Sequence, residues 1–158
     1  MKWQEVLEDK SLKNLPYRIE LNKQGQIIMS PVKPRHSGFQ GEIVSLLGKL
    51  KPDGRVLAEP AIDTSDNVKV ADAAWMSYER YAKVVGETVF TLAPEICVEV
   101  KSESNTEFEM TFKKNLYFAN GAIEFWLCDN EGHMSFYSKD GKLEKSVLVP
   151  AFPARISL

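Results

Sequence analysis

Soft-metal chemistry has almost no raw material in this sequence. Only two cysteines and two histidines occur among its 158 residues. Cys97 and Cys128 do not form a CxxC pair, and each falls in an apolar stretch that reads as a strand. Free buried thiols are therefore expected rather than a disulfide. His36 and His133 stand far apart, which removes the basis for a zinc site. Long apolar runs are missing too, and nothing reaches the length needed to span a bilayer. The opening MKWQEVLEDK has no apolar core segment and no small-residue cleavage site, so it does not read as a secretory signal. A cytoplasmic protein is expected. Nor does one sign of charge dominate: 20 Lys and Arg against 22 Asp and Glu leave a net charge of −2. Nothing in this balance advertises nucleic acid; meeting a phosphate backbone would take a local basic patch or a metal. Repeats and low-complexity segments are absent, and the scattered Pro and Gly mark no linker. Residues 1–158 read as one domain, large enough to bury a core.

The periodicity that is present predicts a mixed α/β fold. A short helix is expected in the first ten residues, with Trp3, Val6 and Leu7 on one face. Tyr17–Leu21 and Gln26–Ser30 read as a hairpin, and Pro31 and Pro34 as chain breaks. Phe39, Ile43, Leu46, Leu47 and Leu50 recur at helical spacing, predicting a helix over 37–50. Strands are expected at Arg55–Glu59 and Val68–Met76, and a helical turn at Tyr78–Val85. Ile96, Val98 and Val100 alternate with Glu95, Cys97, Glu99 and Lys101, which is a strand. Ser104/Glu107 and Thr106/Glu109 have capping-box spacing before a helix that ends at Asn120-Gly121. Ile123–Cys128 reads as a strand, and Met134–Ser138 with Leu143–Val149 as a hairpin. This order predicts helices flanking a central mixed sheet, with 95–101, 106–120 and 123–128 as a βαβ crossover.

One strand carries chemistry. Side chains two apart on a strand share a face, roughly 6.6 Å apart. Glu99 and Lys101 should thus project together, while Ile96, Val98 and Val100 face a core. Asp72 lies in the apolar segment Val70-Ala71-Asp72-Ala73-Ala74-Trp75, where a carboxylate is costly without a partner. It is either a hydrogen-bonding aspartate at a strand end or a metal ligand. Two such acids can hold a hard divalent cation such as Mg²⁺ or Mn²⁺ through oxygen, with the Val100 carbonyl as a further ligand. The cation would activate water, and a lysine beside it would orient or deprotonate that water or stabilise developing charge. Acid-x-lysine also occurs at Glu8-Asp9-Lys10 and Asp140-Gly141-Lys142, but only Glu99-Val100-Lys101 lies on a core strand. Spacing alone does not separate a site from a solvated Glu/Lys couple.

Four segments taken together carry a resemblance. They are YRIELNKQGQIIMSP at 17–31 with Lys33-Pro34-Arg35-His36 after it, VKVADAAW at 68–75, APEICVEVKSES at 93–104, and KKNLYFANGAIEFWLCD at 113–129. In order and spacing this set resembles the Uma2 family of restriction endonucleases, a branch of the PD-(D/E)XK nuclease superfamily. The resemblance implies a restriction-endonuclease-like core, divalent-metal dependence and DNA cleavage. The family's Pro-Asp falls on Ala71-Asp72, so the proline is missing while the carboxylate remains; its acid-x-lysine falls on Glu99-Val100-Lys101. Some members lack that lysine, and this chain has it. Lys113 matches a recurrent family lysine and is implied to contact phosphate or assist the site. Glu42 matches the extra acid that superfamily members often place on the first core helix. A solvated helix acid is the rival reading of Glu42. Glu20 and His36 also sit at family positions. Glu20 either joins the metal site or pairs with a basic neighbour; His36 either hydrogen bonds locally or meets phosphate.

The leading expectation is a metal-dependent endodeoxyribonuclease acting on DNA as a homodimer. The rival is a non-catalytic module on the same fold that binds nucleic acid or a protein. Lys33, Arg35, Lys49, Lys51 and Arg55 either line a phosphate track or are the solvated side of a helix. No aromatic interleaving marks single-strand stacking, and Trp75, Phe125 and Trp126 read as core.

Overall fold

A computed structural model describes all of residues 1–158. The elements in chain order are α1 (Trp3–Glu8), β1 (Tyr17–Leu21), β2 (Ile27–Pro31), α2 (Pro34–Leu50), β3 (Gly54–Ala58), β4 (Ala61–Thr64), β5 (Asn67–Val70), β6 (Ala73–Ser77), α3 (Tyr78–Val84), β7 (Ile96–Val100), α4 (Glu107–Ala119), β8 (Glu124–Cys128), β9 (Met134–Ser138) and β10 (Gly141–Leu143). Six strands form the central sheet in the order β10-β9-β8-β7-β6-β3. Only β7 and β8 run parallel, and α4 is the crossover that joins them. Two hairpins, β1/β2 and β4/β5, stand apart from this sheet.

The alternation in β7 sets the two layers. Ile96, Val98 and Val100 pack with Phe39, Ile43 and Leu47 of α2, which recur every four residues and so form one stripe. Trp126, Phe136 and the C-terminal residues Val149, Phe152 and Ile156 complete that layer. Cys97 faces the other way, toward Tyr117 of α4, Phe125 and Ile62. Every residue of β7 is buried, the signature of a strand covered on both faces. Both cysteines are free and buried.

Four expectations need correction. Pro34 opens α2 at its first turn rather than breaking the chain, because a proline there removes an amide that has no helical partner anyway. The apolar stretch 68–76 is two strands, not one: β5 ends at Val70, and Asp72 is a bend before β6. β5 pairs instead with β4, a strand the sequence did not announce. The stretch 143–149 is not a strand beyond Leu143, since the Val147 and Leu148 amides both donate to Glu124 Oε2 at 2.9 Å and leave the ladder. In α4, Thr106 is the cap, its Oγ1 accepting from the Glu109 amide at 3.1 Å.

Candidate active site

The bend between β5 and β6 is where charge collects. Asp72 is fully buried there. Its amide donates to the Val98 carbonyl at 3.0 Å, and its Oδ2 accepts from the Val100 amide at 2.5 Å. The carboxylate is thereby pinned to the end of β7, one residue from Glu99. Its Oδ1 meets the Arg18 guanidinium and stands 3.3 Å from His36 Nε2. Arg18 comes from β1 and His36 from the first turn of α2.

Glu99 is likewise buried, at 2% exposure. Lys113 and Tyr117, one helical turn apart on α4, both reach it. Lys113 Nζ lies 3.2 Å from Oε1, and the Tyr117 hydroxyl donates to Oε2 at 2.8 Å. The same ammonium is 2.7 Å from Glu20 Oε2, and that oxygen also accepts from the Val70 amide at 2.7 Å. Glu20 shares a face of β1 with Arg18, so the hairpin delivers one acid and one base together. Three carboxylates thus face two permanent cations, and the fully ionised cluster is one charge negative when His36 is neutral.

Burial pushes Glu99 up to about 7; Lys113 opposes the rise, while Asp72 and Glu20 add to it. Burial also works to raise Asp72, but His36, the Arg18 charge and the Val100 amide hold it below the usual carboxylate range. For Lys113 burial disfavours the charge, and Glu99 and Glu20 overcome it, so the ammonium is kept well above its ordinary value. Tyr117 is raised well above the usual phenol by burial first and Glu99 second, which makes it a donor and not a phenolate. A cavity of about 200 Å³ opens onto this cluster, with Arg18, Glu20, His36, Glu99, Val100 and Lys113 in its wall.

The model of the Uma2 family, described as "Putative restriction endonuclease", matches residues 3–154. The chain belongs to the Uma2 family. Its structure is similar to a crystal structure described as that of "a putative nuclease belonging to DUF820 from Anabaena variabilis ATCC 29413". The TM-score is 0.75 at 18% identity, over 98% of this chain and 94% of that one. None of the curated proteins matches it. Family and fold together make this a restriction-endonuclease-like nuclease.

Within that Uma2 frame, the structure sorts the residues singled out from sequence. Asp72, Glu99 and Lys113 converge, with the Val100 backbone between the two acids. Lys101 does not join them: β7 ends at Val100, and the Ser102–Asn105 turn, closed by Asn105 Oδ1 on the Ser102 amide, carries the chain away. Its ammonium instead pairs with Glu107 at 3.1 Å, in a recess shared with Lys33 and Arg35. Glu42 is exposed on α2, outside the cluster; Gln40, two residues earlier, donates to the Asp72 carbonyl at 2.8 Å. Glu20 and His36 are both drawn into the cluster. Arg18 and Tyr117 were not singled out at all. Tyr117 had a signal, its spacing of four from Lys113; Arg18 had only its place two residues from Glu20.

No three acid, histidine or cysteine side chains stand together as a ready cation cage. The donor set nevertheless fits a hard divalent ion. What it offers such an ion is two carboxylates and the Val100 backbone beside an open cavity, with Asp72 Oδ1 occupied by the Arg18 guanidinium.

Proposed function

We propose that this chain is a divalent-metal-dependent endonuclease that hydrolyses phosphodiester bonds in DNA. The observation that carries this reading is that Glu99 and Lys113 line one open cavity, with Asp72 buried beside them and pinned to the Val100 amide. Asp72 Oδ1, Glu99 and the Val100 carbonyl would hold Mg²⁺ or Mn²⁺. Bound there, the ion supplies a lowered water pKa and offsets charge on the phosphate under attack. To receive it, Arg18 must leave Asp72, which frees a guanidinium to pair with a substrate phosphate oxygen. Lys113 is held protonated by Glu99 and Glu20, so it acts as a fixed cation that stabilises developing negative charge, not as a base. Tyr117 orients Glu99 from below. Lys101, with Lys33 and Arg35, takes the lesser part of meeting a flanking phosphate.

Purified protein is expected to cut DNA only with added Mn²⁺ or Mg²⁺, and Asp72→Ala, Glu99→Gln and Lys113→Ala each to lose that cutting. Undiminished cutting by all three would trace the activity to a contaminant. The lack of a three-ligand cage favours a second reading, a non-catalytic module that binds nucleic acid or a protein. Calorimetric titration with Mn²⁺ separates the two, since the module predicts no heat for wild type or Asp72→Ala.

A further inference from the structure

The cavity has a second wall of opposite character. Phe108 is 78% exposed and Phe112 41% exposed, and their rings lie parallel, within 3°, at 6.3 Å between centroids. They sit one turn apart on α4, and Phe112 immediately precedes Lys113. Ile28 and Val32, also exposed, line the same cavity. One ligand thus meets an aromatic shelf and a cationic, acid-lined pocket a single residue apart. A nucleotide has this two-sided chemistry: an apolar flat base and an anionic phosphate.

The charge around the site says which form of nucleic acid fits. A duplex is gripped mainly through neutralised phosphates. Here Lys33 is paired with Glu103 at 3.5 Å, Lys69 with Asp66 at 2.8 Å and Lys101 with Glu107 at 3.1 Å, on a chain of net charge −2. Their carboxylate partners leave these lysines only a lesser hold on flanking phosphates, so affinity gains from a second source, and stacking on aromatic side chains is open to any base whose faces are free. In an intact duplex those faces are covered by the neighbouring base pairs. We propose that the Phe108–Phe112 pair is a stacking platform for an unpaired nucleobase, and that the substrate is single-stranded or locally unpaired DNA whose phosphate enters beside Lys113. This rests on the nuclease reading and narrows its substrate.

The test is fluorescence anisotropy with the full chain and EDTA present, comparing a short labelled oligothymidylate with a duplex of equal length. The oligothymidylate is expected to bind about tenfold more tightly, and the Phe108→Ala/Phe112→Ala double variant to lose about tenfold of that affinity. Phe108→Trp should retain binding and show tryptophan quenching by the oligonucleotide. Both phenylalanines are exposed enough for circular dichroism to report an unchanged fold in the double variant. Equal affinity for the two DNAs, or no loss in the double variant, overturns the platform; if Mn²⁺-dependent cutting persists in that case, the nuclease reading stands without it. Absence of both binding and cutting removes both. Light scattering that shows a wild-type dimer falling apart in the double variant would make the pair a contact between two copies and also overturn the proposal.

Discussion

Two glutamates are buried on neighbouring strands of one sheet, and they are held in opposite ways. Glu124 on β8 has only neutral donors: the Ser146 hydroxyl at 2.6 Å, the Trp126 indole at 2.8 Å, and two backbone amides at 2.9 Å. It sits on the α2 side of the sheet and ties the C-terminal segment to it. Glu99 on β7 has a charged partner, Lys113, shares it with Glu20, and faces a cavity. A carboxylate fixed by neutral and backbone donors builds structure, because those donors cannot leave without undoing a loop. A carboxylate balanced by a side-chain cation beside an opening can take on a second cation without undoing a loop.

The largest expected effect breaks the structural member of the pair. Glu124→Ala removes a buried acceptor and leaves its donors unpaired, which should cost about 3–5 kcal/mol in urea unfolding. Glu99→Gln should cost far less, since the amide still accepts from Tyr117. A comparable loss in both would erase the distinction. On the functional side, Lys113→Ala should slow metal-dependent cutting by about a hundred- to a thousandfold. Lys101→Ala should slow it by about threefold or less, since its ammonium meets only Glu107. The reverse ranking would restore the strand-face reading of Glu99 and Lys101.

The smaller effect is one of pH. Glu99 is raised from 4.5 to about 7, so between those values the folded chain keeps a proton that the unfolded chain releases. Stability of the chelated protein from this group should therefore fall as pH rises from about 4.5 to about 7, by about 1–3 kcal/mol, and then level off. Glu99→Gln should lack this component in urea titrations across that range. An equal slope in wild type and variant would place the titration elsewhere.

What was legible locally was what repeats locally. The stripe Phe39, Ile43, Leu47 and the alternation in β7 announced their elements, and acids at Asp72 and Glu99 stood out against apolar neighbours. The bend at Asp72 was hidden because the residues on both sides of it are apolar, so one run concealed two strands in different sheets. Lys101 stands apart from Glu99 because β7 stops at Val100, an end that only the following turn reveals. Arg18, Glu20 and His36 enter the cluster from elements far away in sequence, and no spacing encodes how the β1/β2 hairpin lies against β5. Lys113 came only through family resemblance, although a lysine one turn before a buried tyrosine was there to be read.

The central claim is that Arg18 stands on Asp72 where a divalent ion, shared with Glu99, can take its place. A crystal soaked in Mn²⁺ and measured at the manganese edge tests it directly. The account predicts an anomalous peak between the two carboxylates, with Arg18 withdrawn from Asp72. No peak at millimolar metal, with Arg18 still seated on Asp72, would contradict it.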